Sequence, residues 1–194
     1  MCESNSAFAF NRRISNEIVW VGYGALLCAT LANAENSRTG FFLSAGAGTD
    51  GGKVSAYGDN GYRIRGFQDA VLNGKIGYSP FSNLTVYGIG SLAAYVTTED
   101  DDAHSRLYLG GGASFWLPRG FFVSGSVGTV KFRADEKSLE NDFGFGFRLS
   151  AGKDWRIFPW GALGIEAFYE HAEVGGGDKW NGNFFGVLFN VSYR

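Results

Sequence analysis

The side chains of this sequence that could do chemistry together are few: Lys75, Arg148, Glu166, Glu170 and Arg106. Each stands nearly alone among glycine, serine and apolar neighbours. Glu166 and Glu170 are four residues apart, so an extended chain puts both on one face. With a tight turn centred on Ile157, Arg148 and Glu166 lie nine residues to either side and oppose each other directly. Lys75 stands at a similar depth above a turn at Pro80 to Asn83, and Arg106 opens a segment at the opposite end. Charges gathered in an enclosed interior must pair, because an isolated buried ion costs several kcal/mol. Two chemistries fit such a group: a structural ion-pair network that fills the interior, or a gate in which exchange of partners opens a small ion path. The structural network is the expectation.

Other constellations are thinner. The run Glu99-Asp100-Asp101-Asp102 gathers oxygen ligands of the kind calcium takes, but lacks the glycine and the spacing of a dedicated site. A solvated loop is expected there, with His104 solvated beside it. A formal net charge of -2, with no basic cluster among aromatics, argues against a nucleic-acid partner. No metal and no cofactor is expected.

The first 34 residues read as a secretory signal. Arg12 and Arg13 precede an apolar run, Ile18 to Leu31, and Ala32-Asn33-Ala34 supplies a small-x-small cleavage site. The run is too short and too rich in glycine for a transmembrane helix. Cleavage after Ala34 removes both Cys2 and Cys28, leaving 35–194 as one domain with neither disulfide nor thiolate.

The elements that must position the charges are strands. Thirty glycines are about double the usual ~7% share, with only three prolines, 16% aromatic and 19% charged residues. The last twelve residues, NFFGVLFNVSYR, set Phe185, Val187, Phe189, Val191 and Tyr193 on one face, and Phe184, Gly186, Leu188, Asn190, Ser192 and Arg194 on the other. A period of two marks a strand with unlike faces. Seven further segments alternate in the same way: 40–48, 70–79, 84–95, 106–116, 121–132, 142–153 and 161–172. Their connections alternate as well. Polar loops at 49–69, 97–105, 133–141 and 173–182 take turns with tight links at 80–83, 117–120 and 154–160. An antiparallel up-and-down sheet with two different ends has this rhythm. Aromatics gather near both sets of ends, with Tyr78, Phe81, Trp116, Trp155, Phe158, Trp160 and Tyr193 by the tight turns. Tyr95, Phe132, Tyr169 and Trp180 lie by the loops.

Alternation does not say which face is inside. A soluble lipocalin-like barrel has the same period with its apolar face inward. The second face decides: it is mostly glycine, serine, threonine and asparagine with very few charges, whereas a solvated exterior needs many. Small residues suit the narrow interior of eight strands. An outward apolar face suits lipid, where every backbone amide must pair within the protein. The expected fold is all-β, an eight-stranded antiparallel transmembrane barrel.

The closing strand ending in an aromatic resembles that of bacterial outer-membrane β-barrels, which the barrel-assembly machinery reads as a terminal signal; here Arg194 follows the aromatic. The eight segments and the interior charges together resemble the small OmpA-type barrels. With no periplasmic peptidoglycan-binding domain after the last strand, the pattern is closer to OmpX-like and opacity-type proteins. The resemblance implies a bacterial outer-membrane location among lipid and lipopolysaccharide, with roles in surface contact, envelope integrity or weak porin-like conduction. An extracellular ligand would meet the loops, where Arg63 and Arg65 could take phosphate oxygens and Asp100, Asp101 and Asp102 offer charge. Lipid A deacylases are also eight-stranded barrels, with a histidine and a serine two residues later near the end of strand seven. Here His171 is followed by Glu173. Without the hydroxyl there is no nucleophile for acyl transfer, and no enzyme is expected.

Overall fold

Alternating sequence with few prolines forms long strands, and eight of them close on one another. The computed structural model describes residues 39–57, 63–96, 103–134, 143–174 and 179–194. The strands are β1 (Gly40–Tyr57), β2 (Arg63–Phe81), β3 (Leu84–Val96), β4 (Ala103–Trp116), β5 (Phe121–Ala134), β6 (Phe143–Phe158), β7 (Gly161–Val174) and β8 (Lys179–Tyr193). Each pairs antiparallel with its neighbour in sequence, and β8 pairs with β1, giving a closed barrel. The stretch 1–34, expected to be a signal segment, and the acidic residues Asp100, Asp101 and Asp102 lie outside the described residues. So do the side chains of Arg63, Arg65, His104, Tyr95 and Trp180.

Four strands, β1, β2, β6 and β8, are clearly longer than their apolar alternation. The stretch 49–69, expected as a loop, is instead the upper part of β1 and β2, paired from Thr49 with Ala70 to Ser55 with Arg63. Polar residues here still alternate: Asp50 and Asp69 point inward and are buried, while Thr49, Ala70 and Lys53 are exposed. The 154–160 connection is likewise the lower end of β6, and β8 begins at Lys179.

The ladder register fixes the barrel's shape. From Phe121 on β5 the pairs run through Lys153, Ile165, Phe189, Ala47, Leu72, Leu92 and Leu107. They return to β5 at Lys131, ten residues beyond Phe121. A stagger of ten over eight strands, at ~3.3 Å per residue and ~4.8 Å between strands, tilts the strands by about 40° and gives a Cα radius of about 8 Å. Phe121 and Lys131 then differ in height by about 25 Å, the height of the apolar band of outer-membrane barrels.

Level planes through those two residues pick out two rings. The lower plane meets outward residues Phe121, Trp155, Leu163, Tyr193, Phe41, Tyr78, Leu84 and Phe115, mostly aromatic. The upper plane passes close to Lys131, Phe143, His171, Asn183, Lys53 and Ser105, where polar side chains take over. Between them the wall is apolar and exposed, including Val127, Leu149, Ala167, Val187 and Phe189. Such an exterior rules out the soluble, lipocalin-like reading, which needs these side chains inside. Two residues expected in the aromatic belts are interior instead: Trp116 and Phe132 have inward parity and are buried.

Inside, large side chains meet glycine. A Cβ on Gly186 would stand 2.5 Å from the Phe168 ring and 2.6 Å from Asp50 Cβ, so only glycine lets those two side chains approach β8. Depth in lipid makes the band testable. Leu149 sits near mid-height, so Leu149→Arg is expected to cost ~2–4 kcal/mol, whereas Phe143→Arg in the upper ring costs ~0–1 kcal/mol. Reversible unfolding in lipid vesicles measures both; equal costs would remove the assigned band.

Candidate functional site

The buried charges of the interior form two layers. The lower, about 8 Å above the aromatic ring by strand rise and tilt, joins β2 to β7. Lys75 Nζ donates to both carboxylate oxygens of Glu166 at 2.8 and 2.7 Å, and Asn190 Nδ2 adds a bond to Glu166 Oε2 at 3.1 Å. The Lys75 ammonium also faces the rings of Tyr87 and Phe122, at 5.3 and 5.9 Å from their centroids.

The upper layer lies about 16–24 Å above that ring and centres on Glu170. Arg148 Nε donates to Glu170 Oε2 at 2.9 Å, and its Nη2 reaches both that oxygen and Ser91 Oγ. Arg106 Nε pairs with Glu170 Oε1 at 2.9 Å, and Arg106 Nη2 bonds Asp50. Both guanidinium planes lie against aromatics. Arg106 is 3.5 Å above the Phe184 centroid, while Arg148 is 4.3 Å from Phe168 and 5.3 Å from Tyr108. Cation–π contact adds to the ion pairs here, where little water competes. Among the described residues, Lys75, Arg106 and Arg148 face Asp50, Asp69, Glu166 and Glu170, all at most 6% exposed.

The direct opposition of Arg148 and Glu166 is not found. Arg148 pairs in register with Glu170, and Glu166 with Gly152. The β6–β7 hairpin turns at Pro159-Trp160 with a register shift between Arg156 and Phe158, which moves the centre from Ile157 toward Pro159. Arg148 therefore stands higher than Lys75 and Glu166. Asp50 and Asp69 were missed because they fall in a stretch that reads as a loop. The even-numbered inward series Phe42, Ser44, Gly46, Gly48, Asp50 contained the signal.

A further polar group lies at the lower end of the barrel. Arg194 Nη2 bonds Asp154 Oδ2 at 2.7 Å, and its guanidinium stacks 3.2 Å from the Trp116 centroid. Ser192 Oγ donates to the same Asp154 oxygen at 3.1 Å, and Trp116 Nε1 donates to Thr85 Oγ1 at 3.0 Å. The residue after the terminal aromatic thus ties β8 to β6 and β4 at this end.

A second polar group faces outward, in the upper ring. Asn183 Oδ1 accepts from Tyr169 Oη at 2.6 Å and lies 2.9 Å from His171 Nδ1. His171 Nε2 is 3.2 Å from Glu173 Oε1. Phe147 and Phe185 flank it, with Phe147 5.4 Å from the imidazole and Phe185 4.8 Å from the Tyr169 ring. Both imidazole nitrogens are engaged, and the residue beside Nε2 is a carboxylate rather than a hydroxyl.

No family model and no curated protein sequence matches the chain. Solved structures do. Neisserial surface protein A is 13% identical at a TM-score of 0.54, covering 79% of this chain and 96% of its own. The outer membrane protein OprG of Pseudomonas aeruginosa is 13% identical at 0.50, covering 81% and 97%. Ail, the attachment invasion locus protein of Yersinia pestis, in complex with the heparin analogue sucrose octasulfate, is 16% identical at 0.50, covering 78% and 99%. The architecture is that of small outer-membrane β-barrels.

Glu170 is the hinge of the upper layer, since two guanidinium groups depend on it. Glu170→Gln strands both and is expected to cost ~3–5 kcal/mol. Ser124→Ala, which removes hydroxyl contacts with Ser150 and Tyr87 and strands no charge, is expected to cost ~1 kcal/mol. Urea unfolding in vesicles compares them, and a Glu170→Gln barrel as stable as the parent would refute the linkage.

Proposed function

We propose that this chain is a small bacterial outer-membrane barrel with a structural or surface-contact role, working through its outward surfaces rather than a through-pore. The observation that carries this reading is the fill at the level of Arg148. Its guanidinium is held by Glu170 and Ser91 and lies between the Phe168 and Tyr108 rings, inside a Cα circle about 16 Å across. Arg106 on Phe184 and Arg194 on Trp116 block the axis again above and below. An ion-pair network of this kind plugs the lumen.

Function then moves to the ends and the wall. β1, β2 and β8 rise above the upper ring and carry the loops outward, where an extracellular ligand or lipopolysaccharide would be met. Arg63 and Arg65, at the start of β2, are candidates for anionic contacts, and Ail, a barrel of similar fold, has been seen in complex with the heparin analogue sucrose octasulfate. The alternating β8 is the segment offered to the barrel-assembly machinery. The acyl-hydrolase alternative has little support, since His171 pairs with Glu173 where a serine would be needed.

A gated pore is the second reading, supported by Arg148 Nη1, which is buried without a partner among the described residues and so has a donor to spare for a different carboxylate. Planar-bilayer recording separates the two. A plugged barrel is electrically silent, and stays silent as Arg148→Gln. Discrete steps in the parent, altered by Arg148→Gln or Glu166→Gln, would overturn the plug in favour of the gate.

A further inference from the structure

Polar side chains on the lipid-facing wall of a barrel need a reason, and Tyr169, His171, Glu173, Asn183 and Lys53 form such a group. They lie side by side on β7, β8 and β1: His171 pairs in register with Asn183, and Asn183 with Lys53. All five point outward, near the plane through Lys131 where the apolar band ends. Soluble ligands do not reach this wall from within the barrel; lipid headgroups lie against it.

The hydrogen bonding leaves defined groups to spare. Asn183 Oδ1 takes the Tyr169 hydroxyl and faces His171 Nδ1, which fixes the amide and turns its two Nδ2 hydrogens to other partners. Among the described residues, neither that nitrogen nor the exposed Lys53 ammonium has a protein partner. Beside them Glu173, 67% exposed, keeps acceptor capacity beyond its contact with His171. An ammonium and an amide NH2 carried by register partners on adjacent strands suit phosphate oxygens. A carboxylate next to that pair repels phosphate, and suits hydroxyl or amide donors on the same ligand. Below, Phe147, Tyr169 and Phe185 present an aromatic shelf to acyl chains.

We infer that this ledge binds one outer-leaflet glycolipid: an acylated sugar carrying a phosphate, as in the lipid anchor of lipopolysaccharide. The phosphate lies on Lys53 and Asn183, a sugar hydroxyl or amide on Glu173, and the chains descend over Tyr169 and Phe185. The inference rests on the membrane-barrel reading and adds to it a fixed site for one lipid.

The test uses the refolded protein in phosphatidylcholine nanodiscs doped with lipid A, with dephosphorylated lipid A, or with phosphatidylglycerol. Native mass spectrometry counts retained lipid, and the heat-dependent gel shift of each variant reports that the barrel is folded. The parent is expected to retain one lipid A. Retention falls about ten-fold in Lys53→Gln/Asn183→Leu, where both phosphate donors are lost, and is unchanged in Lys131→Gln, an outward lysine elsewhere on the same plane. Dephosphorylated lipid A and phosphatidylglycerol are retained at least several-fold less. Equal retention by the double variant, an equal loss in Lys131→Gln, or equal retention of phosphatidylglycerol would each overturn the site while the gel shift left the barrel standing.

Discussion

Closure of the sheet with a stagger of ten residues is the constraint from which the rest of this molecule follows. In lipid a backbone amide has no water to turn to, so an open edge is not tolerated and eight strands must meet end to end. Once strand number and stagger are set, tilt, radius and height are set as well. A radius of about 8 Å leaves room for one layer of side chains and no more. That is why the inward positions alternate between glycine and a few large groups. Phe168 and Asp50 reach across β8 only because Gly186 has no side chain to meet them.

The same narrowness governs the charges. Ions in so small a space lose their hydration and must recover it from one another. Replacing all of them by apolar side chains of similar volume often costs a protein nothing, so their presence is not explained by stability alone. What the ion pairs contribute here is position. Glu170 ties β7 to Arg148 on β6 and to Arg106 on β4, and Arg106 reaches on to Asp50 on β1. Lys75 and Glu166 tie β2 to β7 across the lumen. Contacts between strands that are not neighbours cannot come from the ladder, and the pairs of Arg106 with Glu170 and Asp50 and of Lys75 with Glu166 supply them. They hold the cylinder round and fill its axis in one step.

Much of this was legible in the sequence, and the errors have local causes. The two-residue period of Phe143, Phe145, Phe147 and Leu149 has one reading, and the glycine-and-serine face opposite it named the interior. The same parity put Phe184 and Leu188 inside. Composition misled where it replaced parity. Asp50 and Asp69 read as loop because the residues around them are polar, although they keep the alternation; above the lipid a strand has no apolar face to advertise it. Trp116 read as an interface aromatic because it stands beside a turn, yet its even position in β4 aims it at Thr85 and Arg194. The partner of Arg148 was lost to the register shift at the β6–β7 turn. Alternation names a residue's face; only the turn geometry names its neighbour.

A filled lumen also changes what an outward polar residue means. In an open channel the chemistry of selection lines the axis, and the wall need only be greasy. Here the buried charges along the axis pair with one another, and the outward polar groups gather where the wall meets the headgroups. Tyr169, His171 and Asn183 lie at that boundary, bound to one another strongly enough to be held in place. Side chains that needed only to end the apolar band could have been any polar residues in any rotamer, as Ser105 and Lys131 illustrate on the other side of the barrel. A hydrogen-bonded set on two adjacent strands is a stronger constraint than the boundary requires. The rigid cylinder beneath it supplies what a binding ledge needs, a wall whose residues keep their spacing. The proposed plug inside and the proposed ledge outside would thus be two consequences of one radius.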